Sequence, residues 1–205
     1  MTRTAARSIV VPRPDLCLDF ANTLYYRGSP TKTETLHQFS DLLEWCRTSG
    51  ALPPDALDKL AMWAAKNPDA SAELFRDAIQ LRETIYRVFL SRGSGSHPAP
   101  ADLKSLNDAL AAAPARTTVA SSADSFGWRL EIESPSADSI LAAVLWSAGD
   151  LLVGANRARI RHCANDRCLW LFIDDSKNQS RRWCSMSACG NRAKAHRHYL
   201  RQKGL

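Results

Sequence analysis

The chain has 205 residues, room for one ordinary domain and a small module, and its 45% hydrophobic and 23% charged content excludes a disordered polypeptide. Its net charge of +6 is uneven: residues 1–156 carry 15 basic and 18 acidic side chains (net −3), whereas 157–205 carry 12 and 3 (net +9). Basic charge gathered at one end, with no strongly apolar stripe beside it, points to a polyanionic partner, nucleic acid before membrane. MTRTAARSIVVPRP lacks the apolar run of a signal peptide and no segment approaches the roughly 20 apolar residues of a membrane span, so the expected location is cytoplasmic.

The first recognisable segment is PRPDLCLDFANTLYYRG, where Leu16, Leu18, Phe20 and Leu24 are interrupted by Asp19, Asn22 and Arg27 before Gly28 ends the run. A short extended start passing into a helix fits it. A polar group inside so apolar a stretch needs a partner, so Asp19 and Asn22 are either structural hydrogen-bonders or part of a ligand pocket. From Glu34 to Gly50, Leu36, Phe39, Leu42, Leu43 and Cys46 recur at helical spacing, and Gly50 stops the pattern. DALDKLAMWAAK after Pro53 and Pro54 predicts a second, shorter helix. From Pro68 to Arg92 a long core helix keeps one face apolar except for Arg82, which either binds an anionic effector or forms a buried salt bridge to Asp19 or another carboxylate.

GSGSHPAPA is a flexible turn, and ADLKSLNDALAAA is a further helix halted by Pro114. The period then changes to two in RTTVAS and GWRLEIE, which predict a β-hairpin joined around Ala123 to Phe126. ADSILAAVLWSAGDLLVGAN is apolar almost all round and reads as a buried helix leading to the tail. The body shows no nucleophile with an evident base, no HExxH and no phosphate-cradling glycine loop, so no enzymatic activity is expected. Cys17 and Cys46 lie in apolar surroundings and read as small core residues.

The tail carries Cys163, Cys168, Cys184 and Cys189: two pairs, each with four residues between, fifteen residues apart. That spacing suits a closed, tetrahedral Zn2+ site of four thiolates, and cytosolic thiols stay reduced. His162, His196 and His198 are competing donors for a Cys3His alternative. RIRHC and LWLFIDD predict a small hairpin bearing the first pair, and the second pair falls at the entrance to a terminal helix. So small a module depends on its metal, and metal removal is expected to unfold the tail while leaving the body intact. Trp170, Phe172 and Trp183 are expected to cover the metal rather than stack on bases. The fold class that results is a mainly α body with a small β-hairpin (α+β) over 1–156, followed by a small zinc finger of β-hairpin plus helix over 157–205.

WCSMSACGNRAKAHRHYLR resembles the CGNR zinc-finger family, whose name is spelled by Cys189, Gly190, Asn191 and Arg192. CANDRC and LDFANTL are also similar to that family, in which the finger follows a helical domain called ABATE. The resemblance implies zinc binding, DNA binding and transcription regulation. The residues support DNA independently: Lys194, Arg197 and Arg201 fall on one helical face, with Arg181 and Arg182 beside the metal and Arg192 and His198 in the same basic run. A solvated basic helix with no partner is the bland alternative. The expectation is a regulator with a DNA-binding head and a body that senses a small-molecule effector or forms a homodimer. A zinc-stabilised protein–protein interaction module is the alternative, and no membrane partner is expected.

Overall fold

The computed structural model describes residues 9–121 and 126–203, apart from the side chain of His198. Strand β1 (Ile9–Val10) leads into α1 (Leu16–Ala21), a six-residue helix that buries Leu16, Cys17, Leu18 and Phe20. Two short antiparallel strands follow, β2 (Leu24–Tyr25) and β3 (Thr33–Glu34). Sequence periodicity placed a helix from Glu34, but α2 covers Phe39–Ser49. The reason is local: Glu34 Oε1 accepts the backbone N–H groups of Thr35 and Leu36 at 3.0 Å each, satisfying outside the helix donors that a helical turn would leave free. Asp41 then reaches back to the N–H groups of His37 and Gln38 at 2.8 and 3.2 Å and fixes the start of α2. Gly50, at φ +73°, ends it in the left-handed region.

Helices α3 (Pro54–Lys66), α4 (Pro68–Gly93) and α5 (Pro100–Ala112) each begin with proline in the first turn, where its missing N–H costs nothing. The 26 residues of α4 give a rod about 39 Å long at 1.5 Å per residue, and α1, α2, α3 and α5 all pack against it. Strands β4 (Val119–Ser121) and β5 (Phe126–Arg129) form the expected hairpin; Phe126 belongs to β5, and the joining residues 122–125 lie outside those described. The hairpin gains a third strand that alternation did not reveal, because β1 pairs with β5 and sets Val10 against Trp128. The apolar run after Pro135 divides into α6 (Ala137–Ile140) and α7 (Ala142–Val153), with every residue from Ile140 to Ala148 buried. Ser147 escapes the cost of burial by accepting the Cys17 N–H at 3.1 Å and donating to the Pro14 carbonyl at 3.3 Å.

After a short turn, β6 (Ile160–His162) and β7 (Leu171–Ile173) pair antiparallel with Arg161 opposite Phe172, as RIRHC and LWLFIDD predicted. A wide turn over Met186–Gly190 opens α8 (Asn191–Gln202). The hairpin does not stand apart from the body. Ile160 and Leu171, 0% and 1% exposed, belong to the same core as Phe20, Val88 and Phe89, and both strands lie on α4.

Arg82, 2% exposed, forms the buried salt bridge rather than an anion site, and its partners are Glu34 and Glu83 instead of Asp19. Its guanidinium grips Glu34 through two nitrogens at 2.7 and 2.8 Å and Glu83 through Nε at 2.9 Å. Glu83 also receives Arg27, which lies over the Tyr86 ring at 3.7 Å. Burial works against the charge on both glutamates, and the arginine hydrogen bonds outweigh it, holding both carboxyls below their usual range. Cys17 and Cys46 are buried core residues; burial pushes the Cys17 thiol up to about 12 and raises that of Cys46 as well. Among the described residues no helix is long and apolar enough to cross a membrane.

Candidate metal centre and its basic helix

Two tight turns bring the four sulfurs together. In the first, Cys163 follows β6 and donates its N–H to the Trp170 carbonyl at 2.8 Å, closing the hairpin. Asn165 then shapes the turn: its carbonyl accepts the Cys168 N–H at 2.7 Å, and its side-chain oxygen accepts the Arg167 N–H at 3.1 Å. In the second, the Ser185 carbonyl accepts the Gly190 N–H at 3.0 Å and delivers Cys189 to the mouth of α8. The Ala164 N–H donates to the Arg182 carbonyl at 2.8 Å and ties the two turns to each other.

All four sulfurs lie within 4.8 Å of one another, and none is in a disulfide. Cys184 Sγ stands 3.7 Å from Cys168 Sγ and 3.8 Å from Cys189 Sγ. A tetrahedron with metal–sulfur bonds of about 2.3 Å has edges of about 3.8 Å, so the donor set fits a tetrahedral cation. His162 and His196 are not part of this cluster. Bare thiols are poorly served here: burial is the main cause that pushes Cys184 up to about 12. Hydrogen bonding to Cys163 and burial raise Cys168, while the same hydrogen bond draws Cys163 down to about 5. A dication lets all four ionise, and its binding releases protons.

The surroundings of the thiols supply the rest. Asn165 Nδ2 and Arg192 Nη2 each donate to Cys189 Sγ at 3.5 Å, a donor pair that suits a ligating thiolate. Trp170 and Trp183 pack on the cysteines as expected, but Phe172 is not among the residues packed on them and lies beneath the Arg181 guanidinium, 4.5 Å away. Asp174, fully buried, was not flagged by its sequence context. It accepts Ser176 through backbone N–H and hydroxyl at 3.0 and 2.5 Å and the Arg181 N–H at 3.0 Å. These bonds overcome the burial that opposes its charge, hold its carboxyl below the usual range, and order the loop between the two cysteine pairs.

The seam between body and metal head is made by the LDFANTLYYRG segment. The buried Asn22 amide donates to the Leu171 carbonyl at 2.8 Å and accepts the Leu171 N–H at 2.9 Å, so one side chain stands in for a neighbouring strand. Tyr25 stacks on Trp170 at 5.0 Å and 6°, and the Tyr86 hydroxyl donates to the Leu169 carbonyl at 3.0 Å. Gly28 is needed because a Cβ there would stand 1.7 Å from the Asp166 carbonyl oxygen. Asn22→Ala leaves two buried backbone groups of Leu171 without partners and is expected to destabilise the fold by about 2–3 kcal/mol. Urea unfolding measures this, and a loss below about 0.5 kcal/mol, within the range of a neutral surface change, contradicts the assigned role.

Asp19, Asn22 and Arg82 therefore do not converge on one pocket. Asp19 is half exposed and ion-paired to Arg13, Asn22 faces β7, and Arg82 is enclosed by glutamates. Of the basic residues, Arg181 is held inside the head, donating to the carbonyls of Trp183 and Cys184, and Arg192 faces Cys189 and the Tyr26 ring. Arg182 is exposed beside Trp183. Lys194, Arg197 and Arg201 are exposed on one face of α8 and make no ion pair among the described residues. His198 lies in α8, and its side chain falls outside the described residues. The segments carry two family signatures: residues 14–155 match ABATE, described as "Putative stress-induced transcription regulator", and residues 159–202 match the CGNR zinc finger. No curated protein matches the chain.

Proposed function

The chain belongs to the ABATE family and ends in a CGNR zinc finger, and from this premise we propose that it is a transcription regulator whose zinc-bearing head binds duplex DNA through α8. The observation that carries the reading is the state of that helix. It spans 12 residues, buries no described side chain, packs chiefly on the turn that precedes it, and points three cations outward from one face. A helix of that length is marginal on its own in water. Its sequence serves charge rather than packing, and a basic helix of these dimensions suits the major groove.

Zinc is the cation the reading assigns, since four thiolates at tetrahedral spacing select zinc or iron–sulfur chemistry and the match is to a zinc finger. With four sulfurs the coordination is closed, which supports a structural metal and a protein without catalytic activity. The body, on this reading, senses an effector or mediates dimer formation. The test is an electrophoretic shift with zinc-loaded protein at low salt. Retardation of duplex DNA that fades as salt rises supports the proposal; zinc-loaded protein that leaves every duplex unshifted while capturing a single protein partner replaces it with an interaction module.

A further inference from the structure

The sheet of β1, β5 and β4 ends at β4, and its ladder leaves that strand with an open side. The Arg129 N–H donates to the Thr118 carbonyl at 2.9 Å, which fixes the parity of the pairing: Ala120 turns its backbone groups toward Gly127, while Val119 and Ser121 turn theirs outward. Among the described residues nothing meets those outward N–H and C=O groups. We propose that this edge pairs antiparallel with the same edge of a second copy of the chain, joining two bodies in a twofold dimer through one continuous sheet.

Edge strands are ordinarily guarded by charge, proline or a bulge, and β4 carries none of these. Residues 117–121 read TTVAS, and Arg116 before them is gripped through two nitrogens by Asp150 at 2.6 and 2.8 Å. An uncharged strip has no cation to offer a phosphate backbone, and it sets no like charges against its own copy. The exposed side chains select the register. Val119 and Phe126 are 57% and 73% exposed. Val119 stands opposite Trp128 and Ser121 opposite Phe126, so all four share one face of the sheet.

With Ala120 on the twofold axis, Ser121 lies beside the partner subunit's Val119, and the Phe126 ring reaches that valine over the small serine. Each copy supplies both halves of this aromatic and β-branched contact, so one pairing covers both exposed residues twice. The same register gives every outward group of Val119 and Ser121 a partner, in about four hydrogen bonds. Pairing β4 with β4 uses the edge up, and assembly stops at two. Of the two roles open to the body, this assigns dimer formation. Two copies of α8 then face a twofold-symmetric site, a consequence that rests on the DNA reading; the dimer itself is measured without DNA.

Sedimentation equilibrium of zinc-loaded, full-length protein from about 1 to 500 µM is expected to give a monomer–dimer equilibrium with Kd of roughly 10–100 µM, because so short a ladder falls below the usual size of a stable interface. Val119→Lys, at an exposed position, should raise Kd at least about tenfold while the melting temperature of dilute protein stays unchanged. The exposed Met62→Ala leaves Kd as it was. Ala120→Cys tests the register: a non-hydrogen-bonded pair sets the two Cα atoms about 4.5 Å apart, within reach of a disulfide. Mild oxidation, with zinc content unchanged, should therefore link two chains through position 120, as mass spectrometry of the joined peptides reads. Protein that stays monomeric to about 500 µM overturns the proposal. A dimer whose Kd ignores Val119→Lys, or in which oxidised Ala120→Cys chains stay separate, overturns it too. A dimer that meets every expectation yet shifts no duplex removes the DNA reading and leaves this interface standing.

Discussion

Stripping the metal with a strong chelator is expected to melt the two cysteine turns and α8 while β6 and β7 stay folded on the body. The sequence alone suggested that the whole of 157–205 unfolds together, because a module of that size lacks a core of its own. The structure divides it. Ile160 and Leu171 are buried in the body's core, and Leu171 is bonded at both backbone groups by Asn22. The turns and α8 have less: the first turn meets the body through its backbone at Asp166 and Leu169 and through the Tyr25–Trp170 stack, and beyond the sulfurs the apolar residues packed on the cluster are Trp170 and Trp183. Structural zinc sites contribute roughly 10–16 kcal/mol of apparent binding energy, far more than any other single interaction in the head. Hydrogen exchange reads the outcome directly. Amides of 191–202 should lose protection on chelation, while those of 160–162 and 171–173 stay protected and the body's melting temperature falls by only a few degrees. Equal loss of protection across hairpin and helix contradicts this division, and full retention in α8 removes the metal's structural role. Cys163→Ser should reproduce the chelated state at neutral pH. Acidification should weaken metal binding in the unmodified chain, because protons compete for the thiolates.

The parts of the fold that were legible in the sequence are those that local chemistry decides. Proline at the head of α3, α4 and α5 and apolar periodicity marked those helices to within a residue or two, and glycine marked the end of α2, though not its start. The cysteine spacing likewise announced the cluster that the structure assembles. What was not legible depends on distant partners. Glu34 sits in a strand because Arg82, 48 residues away, needs its carboxylate. Strand β1 pairs with a segment some 120 residues later, and no pattern within two residues could reveal that. The seam was hidden for the same reason. Asn22 and Gly28 look like a polar break and a turn, and only the fold shows that one replaces a strand and the other admits the Asp166 carbonyl. Arg192 reads as one more cation in a basic run, yet its position at the first turn of α8 aims it inward at a thiolate.

Replacing Lys194, Arg197 and Arg201 together with glutamine should abolish most duplex binding and leave zinc in place. On the proposed reading each cation displaces a counterion from a phosphate, contributing about −0.9 to the slope of log K against log salt. Three of them account for a change in slope of about 2.7, which at about 0.1 M salt corresponds to an affinity loss on the order of 500-fold. The three residues are exposed, on one face and free of ion pairs among the described residues, so the substitution removes charge without disturbing packing. Glutamine keeps the propensity for helix, and thus α8 itself. Arg192 provides the contrast, because it lies on the opposite face and donates to Cys189. Arg192→Gln should hasten zinc release, with a change in salt slope well below that of the triple variant. A triple variant that binds with unaltered affinity and unaltered slope removes α8 from the DNA interface. A triple variant that loses zinc along with DNA assigns these cations to the stability of the head, and the outward face of α8 then has no claim on the phosphate backbone.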